Sequence, residues 1–237
     1  MLKMSWKESF KKYAKKQAPE EACGLLAIID GKETFWPCKN LAEGKLEFFV
    51  IDPDDWAECE DTGQVIGVVH SHPKGESTPS ELDVKACEQL GFPYFIYSLL
   101  DDDWGAFEPS DWKGSFAYDN NKVEESEDTN LKTIKVYGKL RQFLGKSYFK
   151  AAVKSPQQAL SFLMANFEGL QKHMNDQVYR IKMGGTEIPE DYLSMSGQGD
   201  IQIIPIAHGG IFGFLAGLIF TAGGASTAVS AALTGFL

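Results

Sequence analysis

The sequence predicts a chain of class α/β (α+β): a mixed sheet with flanking helices, then a β-grasp sheet wrapped over one helix, then an apolar tail. Three observations predict it. Strand-like and helix-like segments alternate through residues 1–118. The order ββαββ fills residues 131–208. Between them, residues 119–130 are acidic, polar and without periodicity, which reads as a linker. The composition changes across it. Residues 1–128 carry 27 acidic and 13 basic side chains, residues 129–237 carry 6 and 10, and all five tryptophans lie at or before Trp112.

In chain order, residues 5–17 form an amphipathic pattern with Trp6, Phe10, Tyr13 and Ala14 on one face and lysines on the other. Cys23–Ile29 is a continuous apolar strand ending at Asp30-Gly31, a hairpin turn, with Glu33–Pro37 as its partner. Glu47–Ile51 is a short strand. Asp52-Pro53-Asp54-Asp55 opens a helix with carboxylates in its first turn. Val65–His72 is a β-branched strand, Pro79–Leu90 a helix with Ser80 at its N-cap, and Tyr94–Leu100 a buried-type strand turning through Asp101-Asp102-Asp103 into Trp104–Phe107.

Beyond the linker, Leu131–Tyr137 and Tyr148–Val153 read as paired strands. Ser155-Pro156 starts a helix running to about Met174, with Ala159, Leu160, Leu163, Phe167 and Leu170 on its apolar face. Gln177–Met183 and Asp200–Ala207 complete the sheet. His208 then precedes Gly209-Gly210, for which a loose joint is the plain expectation. From Ile201 to Leu237 there is no charged residue, and residues 211–237 are long and apolar enough to meet or span a bilayer. The same composition suits burial in a protein assembly, and no Lys or Arg flanks it.

The acidic first half excludes a nucleic-acid surface. Cys23, Cys38, Cys59 and Cys87 form no CxxC pair, and the start of the chain has no secretory apolar core, so free thiols in a reducing compartment are expected.

The chemistry concentrates in His70-Ser71-His72-Pro73, Ser80 and Asp83. Alternate residues of a strand face the same way, so His70 and His72 can grip one ion, and Asp83 supplies a third ligand from the next element. Three protein ligands and an open fourth position are the pattern of a catalytic zinc. Such a hydrolase also needs a general base and a donor for the oxyanion. Ser80 suits the donor role. Glu21, in Glu20-Glu21-Ala22-Cys23, places a carboxylate at the mouth of an apolar strand, a local conflict of the kind that marks sites.

His70-Ser71-His72-Pro73 with Ser80 and Asp83 resembles the JAMM (Mov34/MPN/PAD-1, or JAB) metalloprotease motif, and Pro19-x-Glu21-x-Cys23-Gly24 resembles its N-terminal glutamate motif. The resemblance covers about residues 1–115. It implies a cytidine-deaminase-like mixed sheet, zinc on His70, His72 and Asp83, Glu21 as general acid/base and Ser80 as oxyanion stabiliser. It implies cleavage of peptide or isopeptide bonds beside a ubiquitin-like protein. The phage form of this domain, in tail tip protein K, normally carries a second NlpC/P60-type cysteine peptidase. No cysteine follows Cys87 to supply one.

The second half is similar to the lambda-type tail assembly protein I, a family whose N-terminal part is ubiquitin-like. The carriers are Ile134–Gly138, the Ser155–Leu170 helix, Val178–Gly185, Ile201–Pro205 and the Gly/Ala-rich tail. The domains expected are thus 1–118, a zinc peptidase; 119–130, a linker; 131–208, a ubiquitin-like tail assembly domain; and 209–237, the tail. The partners expected are phage tail tip proteins and that ubiquitin-like domain, in cis or in trans, with a tail that can contact a membrane. The location expected is the virion tail tip, or the host cytoplasm during assembly. Cleavage is expected near Gly210–Ile211. The alternatives are a silent tail component whose zinc only stabilises the fold, and a cellular ubiquitin-like processing or sulfur-transfer enzyme.

Overall fold

Ser5 begins the first helix by accepting a hydrogen bond from Glu8 N at 3.3 Å, and the helix α1 spans Trp6–Gln17. Lys15 and Lys16 close its last turn, and Phe10 and Ala14, four residues apart, are fully buried. The structure, a computed structural model, describes residues 5–112, 114, 131–175 and 177–210. The linker at 119–130 and the apolar tail at 211–237 lie outside the described residues. The described residues fall into two compact units, one of residues 5–112, 114 and 206–210, the other of residues 131–175 and 177–205.

In the first unit, α1 is followed by β1 (Cys23–Ile29), β2 (Lys32–Cys38), β3 (Phe48–Val50), α2 (Pro53–Thr62), β4 (Gln64–His72), α3 (Glu81–Leu90), β5 (Tyr94–Ser98) and β6 (Asp103–Phe107). Asp30 and Gly31 both take positive φ, 51° and 72°, as a two-residue hairpin turn requires. The sheet order is β2-β1-β4-β5-β6, antiparallel except for β4 with β5. A parallel pair needs a crossover, and α3 supplies it. Phe10 and Ala14 of α1 pack on Leu26, Val69 and Tyr97. Helix α2 lies against β1, β2 and β4. Covered in this way, β1 reads as an unbroken apolar run rather than an alternating one.

The second unit holds β7 (Lys132–Val136), α4 (Gly138–Leu144), β8 (Tyr148–Ala151), α5 (Pro156–Asn166), α6 (Leu170–Met174), β9 (Tyr179–Met183), β10 (Thr186–Glu187) and β11 (Ile201–Pro205). Its sheet order is β10-β9-β11-β7-β8, with first and last strands parallel at the centre. Leu160 and Leu163 of α5 share a core with Ile134, Val136, Ile181 and Ile203, and Leu140 and Leu144 of α4 and Leu170 and Met174 of α6 enter the same core, so three helices contribute where the ββαββ order predicts one.

The helix expected to reach Met174 is two helices. It stops at Asn166, Phe167 turns extended, and Gly169 at φ 79° begins α6. Helix α4 is an element the sequence pattern did not predict; Gly138 and Gly145, both at positive φ, bracket it. A last strand, β12 (His208–Gly210), follows Ile206 and Ala207 and belongs to the first unit, paired antiparallel with β3. Among the described residues no helix is long and apolar enough to cross a membrane.

Candidate metal centre

The centre is assembled by the end of β4 and the start of α3. Strand alternation turns His70 and His72 to one face and Ser71 to the other. Ser71 ties β4 to the start of β1: its N–H donates to Ala22 O and its Oγ accepts from Ala22 N, each at 3.0 Å. Helix α3 then begins with a capping box. Ser80 Oγ accepts from Asp83 N at 3.0 Å, and Asp83 Oδ2 accepts from Ser80 N at 2.9 Å. The Ser80 hydroxyl also donates to Asp83 Oδ2 at 2.7 Å. Asp83 is therefore both the N3 residue of the cap and the carboxylate aimed at the histidines.

Three edges define the site. His70 Nε2 lies 3.2 Å from His72 Nε2 and 3.3 Å from Asp83 Oδ1, and His72 Nε2 lies 3.6 Å from Asp83 Oδ2. In a tetrahedral zinc site with bonds of about 2.0–2.1 Å, ligand atoms stand about 3.3–3.4 Å apart. The donor set fits zinc in spacing and in kind, and among the described residues it is the metal-competent cluster of His, Cys, Asp and Glu. His72 Nδ1 faces the Glu76 carbonyl at 2.8 Å. A carbonyl only accepts, so the proton sits on Nδ1 and the Nε2 lone pair faces the site. Burial pulls His70 below its ordinary pKa against the pull of Asp83. Burial works against the charge of Asp83. The His70 ring and the hydrogen bond from the Ser80 hydroxyl still hold that carboxyl well below the usual carboxylate range.

Glu21 precedes β1, whose Cys23 is in register with His70. It is 1% exposed, and neither carboxylate oxygen has a hydrogen-bond partner among the described residues. Burial first, then the charges of Asp83 and Glu47, push its pKa up to about 9. Glu21 is thus a buried carboxyl without a hydrogen-bond partner among the described residues, close enough to Asp83 to feel its charge.

Sequence reasoning missed three contributors. Asn40 donates to Glu21 O at 3.0 Å and Phe48 O at 2.9 Å, and accepts from Ala42 N at 2.9 Å and Val50 N at 3.1 Å. It thus joins the Glu21 segment to β3. Phe49 packs its ring 4.6 Å from that of His70. Tyr94, fully buried, donates through its hydroxyl to His208 O at 2.8 Å. Their signal in the sequence is no more than that of any core residue. The four cysteines are free and buried, as expected. Burial raises all four thiols, which makes them core residues rather than nucleophiles.

The expected Gly-Gly segment is also here. In β12, His208 pairs with Val50, Gly209 with Phe49 and Gly210 with Phe48, and Ile51 N donates to Ala207 O at 2.9 Å. A Cβ placed on Gly209 would stand 2.5 Å from Phe49 Cε1 and would collide with Asp83 Oδ1.

Comparison with known proteins places this geometry in a family. Residues 4–113 match the prokaryotic homologs of the JAB domain. Tail tip assembly protein K of Escherichia phage N15 is 37% identical over 97 residues, which is 41% of this chain and 40% of that protein. The CysO-cysteine peptidase of Mycobacterium bovis is 33% identical over 97 residues, covering 38% of this chain and 66% of that enzyme. Among solved structures, a Desulfitobacterium hafniense protein aligns at 27% identity over 47% of this chain and 84% of its own, with a TM-score of 0.38. A JAB1/MPN domain protein of Archaeoglobus fulgidus aligns at 20% over 44% and 84%, with a TM-score of 0.30. The chain thus spans less than half of the phage relative's length. With the histidine pair, the capping aspartate and the buried glutamate falling inside the matched stretch, residues 4–113 of this chain are a JAB domain of the prokaryotic type.

Proposed function

We propose that the first unit is a zinc-dependent peptidase of the isopeptidase-like kind. It serves phage tail tip assembly and acts on a ubiquitin-like tail protein near a Gly-Gly sequence, in cis or in trans. The observation that carries this reading is the meeting of three ligand atoms with the buried, unpartnered carboxyl of Glu21. The likeness to a phage tail tip protein and to a peptidase supports the setting and the reaction. The partners proposed are other tail tip proteins and the chain's own second unit, read as ubiquitin-like. The place proposed is the virion tail tip, or the host cytoplasm during assembly.

A zinc ion on His70, His72 and Asp83 would supply a Lewis acid and water acidified to a pKa of about 7. Glu21 takes a proton from the attacking water and hands it to the leaving amine as the C–N bond breaks. An acid whose pKa lies near the working pH does both best. Ser80 is the proposed donor to the carbonyl oxygen. Its hydroxyl is turned to Asp83 Oδ2 here, so the role requires a rotation about its side chain.

One observation favours a second reading. His70 and Asp83 are fully buried and His72 is 2% exposed, and a closed site is typical of structural metal. A silent tail component with a zinc-stabilised fold would look the same. Metal analysis with an assay on a peptide copying residues 203–216 separates the two. Zinc-loaded wild type should cleave it, a chelator should abolish cleavage, and Glu21→Gln should keep zinc while losing roughly 10²–10⁴-fold in rate. Wild-type activity in Glu21→Gln, or cleavage that survives metal removal, would overturn the peptidase reading.

A further inference from the structure

We propose that the Ala207–Gly210 segment is an intramolecular occupant of the metal-site groove, so that any substrate in trans must first displace it. The inference rests on the peptidase reading for its meaning, but not for its test. Its premise is a set of contacts within the first unit.

Strand β3 stands outside the five-stranded sheet, and among the described strands its partner is β12. An edge strand with free backbone groups is a template for an extended chain. The segment is held at three successive points: Ile51 N to Ala207 O at 2.9 Å, Tyr94 hydroxyl to His208 O at 2.8 Å, and Gly209 against Phe49. Ala207 is 1% exposed.

Glycine at 209 is what lets the strand seat. Any side chain there meets the Phe49 ring and the Asp83 carboxylate. Neither can yield cheaply. Phe49 is fully buried and packs on His70, and Asp83 is fixed by the capping box and by His70. The groove therefore selects an extended segment with glycine over Phe49, and the chain supplies one itself. Tethering gives such a segment an effective concentration of about millimolar. A free peptide of the same sequence competes against that at a disadvantage.

The test uses the full, zinc-loaded chain in a Glu21→Gln background, so that bound peptide stays intact. The probe is a fluorescent peptide copying residues 203–212. Gly209→Val should unseat the strand and tighten peptide binding at least about tenfold, because the tethered competitor is gone. Ala207→Asp, which places a charge at a buried position of the same segment, should do likewise. Hydrogen exchange at Ile51 N–H should speed up in both variants in the absence of peptide. Equal peptide affinity across all three chains, or an Ile51 amide that exchanges equally fast in all of them, would overturn the proposal. Tighter binding and faster exchange in these variants, with no cleavage of the peptide by the zinc-loaded chain that keeps Glu21, would retain the occupant and discard the peptidase.

Discussion

In the first unit, the buried polar residues His70, His72, Asp83 and Glu21 bear on one place, and the Glu21 carboxylate has no hydrogen-bond partner among the described residues. In the second unit, the buried polar residues are dispersed through the fold and serve it. Ser155 caps α5, Gln177 accepts from the Tyr179 hydroxyl, and Thr133 N donates to Asp200. Both units have full apolar cores. What separates them is that the first unit gathers two imidazoles and a carboxylate, all buried, within reach of one ion. The second unit shows what ordinary polar burial looks like in the same chain.

The comparison predicts that metal stabilises one unit alone. Calorimetry should resolve two unfolding transitions. Zinc at a thousandfold excess over its dissociation constant should stabilise the first by about 4 kcal/mol and leave the second in place. A zinc response of the second transition would erase the distinction. The converse is Leu163→Ala in the core of the second unit. It should lower the second transition by about 3 kcal/mol and leave zinc binding unchanged.

A smaller effect sharpens the picture of the site. Asn40→Ala removes the amide that satisfies Glu21 O, Phe48 O and Val50 N. It should destabilise the first unit by about 2 kcal/mol and lower peptidase activity with zinc content intact. A further effect is on pH dependence. Glu21 has a raised pKa when folded, so between its ordinary 4.5 and about 9 the folded state holds the extra proton. Its contribution to stability is full below that window and is lost as pH rises through it. With zinc chelated, the first transition of wild type should fall with rising pH more steeply than that of Glu21→Gln. Equal slopes would mean that Glu21 is better solvated than its burial implies.

What was legible in the sequence was local. His70 and His72 share a face because a strand alternates. Ser80 and Asp83 stand three apart because a helix begins there. The hairpin at Asp30-Gly31 announced itself by residue type. What was hidden depends on contacts between distant segments. Asn40 reaches Glu21, Tyr94 reaches His208 across 114 residues, and Gly209 meets Asp83. No spacing rule reports such meetings. Gly209-Gly210 was readable as glycine-rich, but its place beside a ligand was not. The break between α5 and α6 was missed because the apolar face continues to Leu170 past a backbone turn that only Gly169 betrays.

The crossover from β4 to β5 has a consequence for how such a centre can spread. His70 and His72 end its strand and Asp83 opens its helix, so all three ligands fall within residues 70–83. The loop between them is anchored by His72 to Glu76 and by Ser98 Oγ to Gly75 O at 2.7 Å. The ligand set is a single contiguous cassette. It can be gained, lost or grafted as one strand–helix unit, whereas the strand-binding groove around it draws on Asn40, Phe49 and Tyr94 from three other places. The metal-competent residues are thus local in sequence, whereas the residues that meet the Ala207–Gly210 segment are gathered from across the unit.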